Sequence, residues 1–499
     1  MQTVIFLFTY IAFCFFVHKK LLFLLHLYQQ HEYSARRFLK WILQKPEWKL
    51  LLCSLTTLFH PLFFSLLAAA FATSAYSAPD PRVKAKKVLV MTERARALYF
   101  IALTLALSLP LFGYFLAIWL LPFTLVAANF LHRPFEQKKN RKHLDDSKQR
   151  LAEVKPIIIG ITGSFGKTSV KHILGHILDM NSTALITPGG VNELMGISRT
   201  IRKKLHRGYR YFIVEMGAYG AGSIEKLCAF TPPDYGIITS VGHAHFERFK
   251  SIDTVAAAKF ELADATLAKG GKMVVTEEAL NTPYAKKYYA ENKDRFVLVS
   301  DQEILRIEQL KEGTKATLLW EGKEWELFAP IYGLHSGRNI AASFFLAALL
   351  GIDPQRIALS LKTLPQIKHR LEVKETAQGI TYIDDAYNSN PIGFQNALDL
   401  LALLGANGRR KILVTPGMIE LGARHDALHA QVAVKASSIV DLALIITPQR
   451  IPTFIAPFPE EKRLLLPTFA AAKKWLQANT LPGDVILIEN DLPDLYENR

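Results

Sequence analysis

The apolar positions of this chain fall into two regimes. Up to residue 131 they come in long runs, over 3–17, 50–76 and 97–131; beyond residue 155 they come in short runs separated by helical periodicity. The second and third long runs exceed the roughly 20 residues that one helix needs to cross a bilayer. The first is shorter and is ended by His18-Lys19-Lys20, with no small-residue cleavage site behind it, so it is expected to be a retained anchor. The second is interrupted by His60-Pro61 and the third by Pro110 and Pro122, which makes the third either one long kinked span or a hairpin of two short ones. Residues 21–49 mix Arg36 and Arg37 with Tyr33, Phe38, Trp41 and Trp48 at roughly helical spacing, which predicts an amphipathic helix at a membrane interface.

After residue 155 the pattern changes to β-α alternation. Val-Ile-Leu-rich strands at 211–214, 235–239 and 272–275 alternate with helical stretches, the signature of a mostly parallel sheet covered by helices. Charged, alternating segments over 296–329 predict antiparallel strands at the edge of that sheet. The glycines from 333 to 337 break the pattern, and a helix over 339–350 is expected to open a further domain, with strands at 380–383, 411–415, 442–446 and 485–488.

Charge sharpens the membrane reading. The net charge of +16 is concentrated beside the apolar runs: Arg82, Lys84, Lys86, Lys87, Arg94 and Arg96 precede the third run, and Arg133, Lys138, Lys139, Arg141 and Lys142 follow it. By the positive-inside rule both loops face the cytoplasm, as does everything after residue 131. No aromatic-interleaved basic patch argues for RNA or DNA, since the mixed segment 21–49 adjoins the membrane runs, so nucleic acid is not an expected partner. Cys14, Cys53 and Cys228 are too scattered for a disulfide framework or a zinc site.

The chemistry centres on Ile157-Ile-Ile-Gly160-Ile-Thr162-Gly163-Ser164-Phe-Gly166-Lys167-Thr168-Ser169, an apolar strand that runs into a glycine-rich turn and a helix. Glycines let backbone N–H groups approach phosphate oxygens, the helix N-terminus adds its dipole, and Lys167 adds a charge. The Thr168 or Ser169 hydroxyl is placed to hold Mg²⁺. The common phosphate-loop pattern has its first glycine where this chain has Ile161, so the loop belongs to a subclass. Polar groups also follow the predicted strands, Glu215 after 211–214 and His243 and His245 after 235–239, where parallel sheets bind ligands. Glu215 offers oxygen to Mg²⁺ and His245 an imidazole to a second divalent ion. Lys259 stands alone in an apolar helical turn, where burial would depress its pKa and let it take up CO₂ as a carbamate.

In order, these residues resemble the Mur ligase superfamily, most closely the MurF type. The likeness rests on the phosphate loop, Thr187-Pro-Gly-Gly-Val-Asn192, Glu215-Met-Gly-Ala, Ala244-His245-Phe-Glu and Ala257-Ala-Lys259. It continues through Gly333-x-His335-x-x-x-Asn339, His369-Arg370-Leu-Glu-Val, Asp384-Asp385-Ala-Tyr387-Asn388-Ser-Asn-Pro and Gly417-Met-Ile-Glu-Leu-Gly422, over about residues 155–490. The resemblance implies an ATP-dependent amide ligase of cell-wall precursor synthesis that joins D-alanyl-D-alanine or a similar amine to a muramyl-peptide carboxylate through an acyl phosphate. Together with the membrane anchor read over 1–150 from the apolar runs, it implies a bacterial inner-membrane protein with a central ATP-binding α/β domain over 155–331 and a Rossmann-like α/β domain over 332–499, its hinge at 333–337.

Carried over residue by residue, Gly160, Thr162, Gly163, Ser164, Gly166, Lys167, Thr168 and Ser169 would hold the phosphates. Thr168 and Glu215 would bind one Mg²⁺, and His245 with carbamylated Lys259 a second. Asn339 and Arg370 would meet adenine and phosphate, Asp385 the ribose, and Asn192, Tyr387 and Asn388 the substrate. Three departures bear on the substrate. Membrane segments replace the family's uridine-nucleotide domain, Ile488-Glu-Asn-Asp stands in place of a Lys-Gly-Ser loop, and Tyr219-Gly220 replaces Asn-His. The alternatives that these leave open are a ligase for a lipid-linked or polyglutamate-like carboxylate, and an ATP-binding membrane sensor or scaffold.

Overall fold

The computed structural model describes residues 2–44, 61–83, 88–112, 114–242, 249, 251–387, 389–419 and 421–491. The chain divides into two compact units, one reaching Lys142 and the other His143–Asp491.

The first unit is helical. Helix Gln2–Gln30 runs unbroken through His18-Lys19-Lys20, where the sequence pattern placed the end of a short anchor. Two lysines do not stop a helix; no Gly or Pro lies within it, and Leu21, Leu22, Leu24 and Leu25 beyond the lysines are fully buried. Thr3–Gln30 is the one helix among the described residues long and apolar enough to cross a membrane. One of its faces packs Phe13 edge-on against Phe71 of helix Pro61–Ser77, with ring centroids 5.4 Å apart. Its other face exposes Val4, Leu7, Phe8 and Ile11. Of the segment 21–49 expected as an amphipathic helix, residues 21–30 continue the first helix, Ala35–Gln44 forms an amphipathic helix that buries Phe38 and Ile42, and 45–49 lie outside the described residues.

The third apolar run folds back on itself. Helix Glu93–Ser108 ends in a 3₁₀ turn, Leu109–Phe112, that contains Pro110, and helix Tyr114–Val154 then continues through Pro122 and Pro134. Arg94 joins the two, its guanidinium 2.9 Å from Glu136 and 3.0 Å from the Asn129 side-chain oxygen. Residues 45–60 and 84–87, which carry part of the second apolar run and its basic loop, lie outside the described residues.

The second unit holds two doubly wound sheets. In the first, β1 (Ile157–Thr162), β2 (Ala184–Ile186), β3 (Tyr211–Glu215), β4 (Tyr235–Ile238), β5 (Lys272–Thr276) and β6 (Phe296–Val299) lie parallel in the order β2-β3-β1-β4-β5-β6. Helices cover both faces, so the central strands are apolar throughout rather than alternating. The register pairs Ile161 with Glu215 and Thr162 with Ile238, which brings the ends of β1, β3 and β4 to one edge of the sheet.

Two expectations change here. The antiparallel strands β7 (Ile304–Leu310), β8 (Gly313–Trp320) and β9 (Lys323–Ala329) form their own three-stranded sheet instead of edging the parallel one, whose edge β6 is itself parallel. The glycines at 333–337 are the start of helix Leu334–Leu349 and not a break between domains. Gly333 takes φ +93 ahead of the first turn, and Gly337 lies so close to Ile307 that a Cβ would come within 2.5 Å of it. That helix sits in the central core: Phe345 meets Trp320 edge-on at 5.2 Å, and Phe344 and Phe345 are buried with Ile173, Ile177 and Leu318. Truncating such a phenylalanine to alanine costs about 3–5 kcal/mol.

The second sheet has the order β10-β11-β15-β12-β13-β14, built from β10 (Glu372–Glu375), β11 (Thr381–Asp385), β12 (Lys411–Thr415), β13 (Leu442–Ile446), β14 (Arg463–Leu466) and β15 (Val485–Glu489). Only β10 is antiparallel. The register sets Asp385 directly beside Glu489 at the C-terminal ends of β11 and β15.

Candidate active site

The phosphate loop forms as the sequence requires. Helix Lys167–Asn181 follows Gly166, which takes φ +82 and offers no side chain to the first N–H groups, and these remain directed out of the helix. Val170, Ile173, Leu174, Ile177 and Leu178 bury one face of that helix and fix its start at the end of β1. The loop is tied to the segment after β4: the Phe165 N–H donates to the Ser240 hydroxyl at 2.8 Å, and the Ser164 N–H to the Ser240 carbonyl at 2.9 Å. Gly163 packs so tightly on Thr239 that a Cβ would come within 1.9 Å of its hydroxyl.

Lys167 folds over this loop, donating to the carbonyls of Gly163 at 2.7 Å and Ser164 at 3.3 Å. Burial pushes its pKa down to about 8, against the pull of Glu215 and with a further push from Arg370. Thr168 donates to Glu215 Oε2 at 3.1 Å, which selects Thr168 rather than Ser169 as the hydroxyl that faces the carboxylate. Glu215 is 2 % exposed and held from every side: its Oε1 accepts from Asn192 at 3.3 Å and its N–H donates to the Thr187 hydroxyl at 3.1 Å. Thr168 and Glu215 together form a hard-oxygen pair beside the phosphate loop, a donor set that suits Mg²⁺.

Lys259 rises from helix Ile252–Ala268, whose start is fixed by a capping box between Ser251 and Thr254. It is 4 % exposed, and burial, with the nearby charge of Lys167, holds its pKa well below the ordinary lysine value. Gly163, Ser164, Lys167, Asn192, Gly217, Ala218, Tyr219 and Lys259 line one cleft. Tyr219 donates to the Asn192 Oδ1 at 3.0 Å, so the tyrosine that departs from the family pattern braces the side chain that holds Glu215.

The remaining predicted residues sort by position. Gly160 lies inside β1 with its open side against Leu262 and Met216, so it serves helix-to-sheet packing and does not reach the loop. Thr162 ends β1 and donates to the Met216 carbonyl at 3.0 Å. Asn339 belongs to the central core and sets its Oδ1 against Gly166, 2.7 Å from where a Cβ would stand. Arg370 stacks on the Tyr387 ring at 4.5 Å, between His369 and Leu371, both in the left-handed backbone region. Asp385 accepts from the Leu371 N–H at 3.2 Å; burial pushes it up to about 6, while Arg370 pulls it down. His245 and Asn388 lie outside the described residues.

Lys171 is the residue that the sequence pattern missed. It is fully buried one turn beyond Lys167, with its ammonium 2.9 Å from Glu215 Oε2. Its spacing of four from Lys167, on the face that carries Val170 and Leu174, was the available signal.

Comparison with known proteins places this geometry. Residues 161–347 match the Mur ligase middle domain, and residues 369–489 the glutamate ligase domain of the Mur ligases. The chain is 29% identical over 353 residues to UDP-N-acetylmuramoyl-tripeptide--D-alanyl-D-alanine ligase of Bacillus subtilis, covering 69% of this chain and 75% of that protein. It is 30% identical over 288 residues to the Escherichia coli enzyme of the same name, covering 56% of this chain and 63% of that one. Among solved structures, MurF from Acinetobacter baumannii superposes with a TM-score of 0.60 at 23% identity over 70% of this chain and 77% of that chain. MurF from Thermotoga maritima, solved in complex with ADP, gives 0.58 at 23% identity over 70% and 80%. The two domain matches together span more than half of the chain, and the phosphate loop, Glu215 and Lys259 lie within the first of them; the chain belongs to the Mur ligase family and is of the MurF type.

Proposed function

We propose that this protein is a membrane-attached, ATP-dependent ligase that joins D-alanyl-D-alanine, or an amine of the same class, to the terminal carboxylate of a muramyl peptide. The observation that carries the reading is that Lys167 and Lys259 line one cleft at the C-terminal edge of a parallel sheet, with Asn192 of the same lining donating to Glu215 and Thr168 donating to that carboxylate. Lys167 and the loop N–H groups would bind the β- and γ-phosphates of ATP, and Arg370 would reach them from the C-terminal domain. Mg²⁺, held by Thr168 and Glu215, would neutralise phosphate charge as the carboxylate attacks. The carboxylate would take the γ-phosphoryl group as ADP leaves, and the incoming amine would then attack the acyl carbon, lose a proton and displace phosphate, which leaves the amide.

The apolar face of Thr3–Gln30 supports attachment of the first unit to the cytoplasmic membrane. The test is phosphate release by the detergent-solubilised protein with ATP, Mg²⁺, UDP-linked muramyl tripeptide and D-alanyl-D-alanine. Release that needs both substrates and is lost in Lys259→Ala supports the reading. Release only with a lipid-linked acceptor would keep the ligase and change its substrate, and tight ATP binding without release for any acceptor would sink it.

A further inference from the structure

Lys171 takes no part in the chemistry above, yet it is buried beside Glu215. Its side chain has no exposure, and its ammonium donates to Glu215 Oε2 at 2.9 Å and to the Gly189 carbonyl. Gly189 lies in the loop that also supplies Thr187 and Asn192 to Glu215, so the lysine ties the phosphate-loop helix to the segment that positions the carboxylate. The Oε2 that Lys171 holds is the one that accepts from Thr168. A lysine is kept in such a place only against a carboxylate that needs it, since burying an unpaired charge is strongly unfavourable.

Charge balance then decides what the site accepts. Glu215 and Lys171 cancel, and Lys167 and Arg370 act on the same region with positive charge. A bare divalent cation added beside Thr168 would face these like charges at short range in a low-dielectric cleft, whereas a cation arriving with nucleotide phosphates would bring its own compensation. We propose that Lys171 is a resident counter-cation for Glu215: it positions the carboxylate beside Thr168 and bars a bare divalent ion, so that metal enters only with the phosphates of a nucleotide. The inference rests on the reading of Thr168 and Glu215 as ligands.

The experiment titrates Mn²⁺ as the probe, read by its paramagnetic resonance signal, into the full-length detergent-solubilised protein with and without ADP. The wild type is expected to bind Mn²⁺ only when ADP is present. Lys171→Met should bind Mn²⁺ alone roughly tenfold tighter or more than the wild type does, and Lys171→Arg, which keeps the charge, should not. The double variant Lys171→Met with Glu215→Gln removes both charges and should lose the gain. If Lys171→Met takes up Mn²⁺ alone no better than the wild type while still binding Mn²⁺ with ADP, the counter-cation role is overturned and the ligase reading stands. Wild-type binding of Mn²⁺ that is equally tight without ADP overturns the role even where the variants do not fold. A wild type that binds neither ADP nor Mn²⁺ overturns both.

Discussion

The hydroxyl of Tyr387, from the loop after β11, stands 2.0 Å from the point where a Cβ on Gly190 of the central domain would lie. Glycine at 190 therefore lets the C-terminal domain set Tyr387, with Arg370 stacked on its ring, against the loop that carries Asn192. Gly190→Ala should leave the fold intact, because the obstructing atom is the far end of a movable side chain, but it should displace Tyr387 and with it Arg370. The expected result is an unchanged melting temperature with a several-fold rise in KM for ATP. Tyr387→Ala combined with Gly190→Ala should show less than the sum of the two effects, as contacting residues do; strict additivity would refute the link.

Lys259 is retained at a cost in stability. Its folded pKa is depressed by burial, so the unfolded chain binds more protons between that value and the ordinary lysine pKa of about 10.4, and stability falls as pH drops through this window. Lys259→Met fills the same space without the charge. At pH 7.5 it should melt at least about 2 °C higher than the wild type while losing ligase activity. Its stability should also rise less steeply between pH 7.5 and 10. A lower melting point in the variant across that range would contradict the assignment of Lys259 as an amine destabilised by burial.

What the sequence made legible follows from burial. The strands β1, β3, β4, β5, β12, β13 and β15 are covered on both faces, so they read as unbroken apolar runs, and the phosphate loop announced itself through its glycines and Lys167. The short edge strands did not: β10, Glu372-Val-Lys-Glu, has no apolar run, and β2 and β14 have only three and four residues, so each exists through pairing. The sequence pattern starts helix Leu334–Leu349 late, at Asn339, because Leu-His-Ser-Gly-Arg resembles a loop and only the packing of Phe344 and Phe345 anchors it in the central core. Lys171 was invisible for a related reason: a lysine in a helix looks solvated until the strand that presents Glu215 is placed beside it.

Asp385 lies in register beside Glu489, and the second carboxylate accepts from the Ser389 hydroxyl at 2.5 Å while its other oxygen is buried without a hydrogen-bond partner among the described residues. Burial raises both, Asp385 to about 6, and the charge of Asp385 adds to the rise at Glu489. A carboxyl whose folded pKa is raised contributes stability that is present below its unfolded value near 3.9 and is lost as pH climbs through about 6. Asp385→Asn should therefore stabilise the protein at pH 7.5 and have little effect at pH 4, while weakening nucleotide binding. Melting curves of both proteins at the two pH values check the sign; a variant that is less stable at pH 7.5 would show that the pull of Arg370 on the ionised Asp385 outweighs the cost of its burial.

The end of helix Tyr114–Val154 is part of the catalytic unit, and this fixes where the chain can be cut. From His143 onward its residues belong to that unit, with Leu144, Leu151 and Val154 packed on the core that contains Ile197 and Phe212. The Ser147 hydroxyl pairs with that of Ser198 at 2.8 Å, fully buried. A chain beginning at His143 should fold without detergent and gain thermal stability from ADP with Mg²⁺. A chain beginning at Pro156 loses three apolar contacts, at about 1 kcal/mol each for partly buried side chains, and leaves Ser198 without its Ser147 partner. It should unfold at lower denaturant concentration, by about 3 kcal/mol or more. Equal denaturation midpoints for the two chains would mean that the helix end adds nothing to the catalytic unit and that its serine pair is incidental.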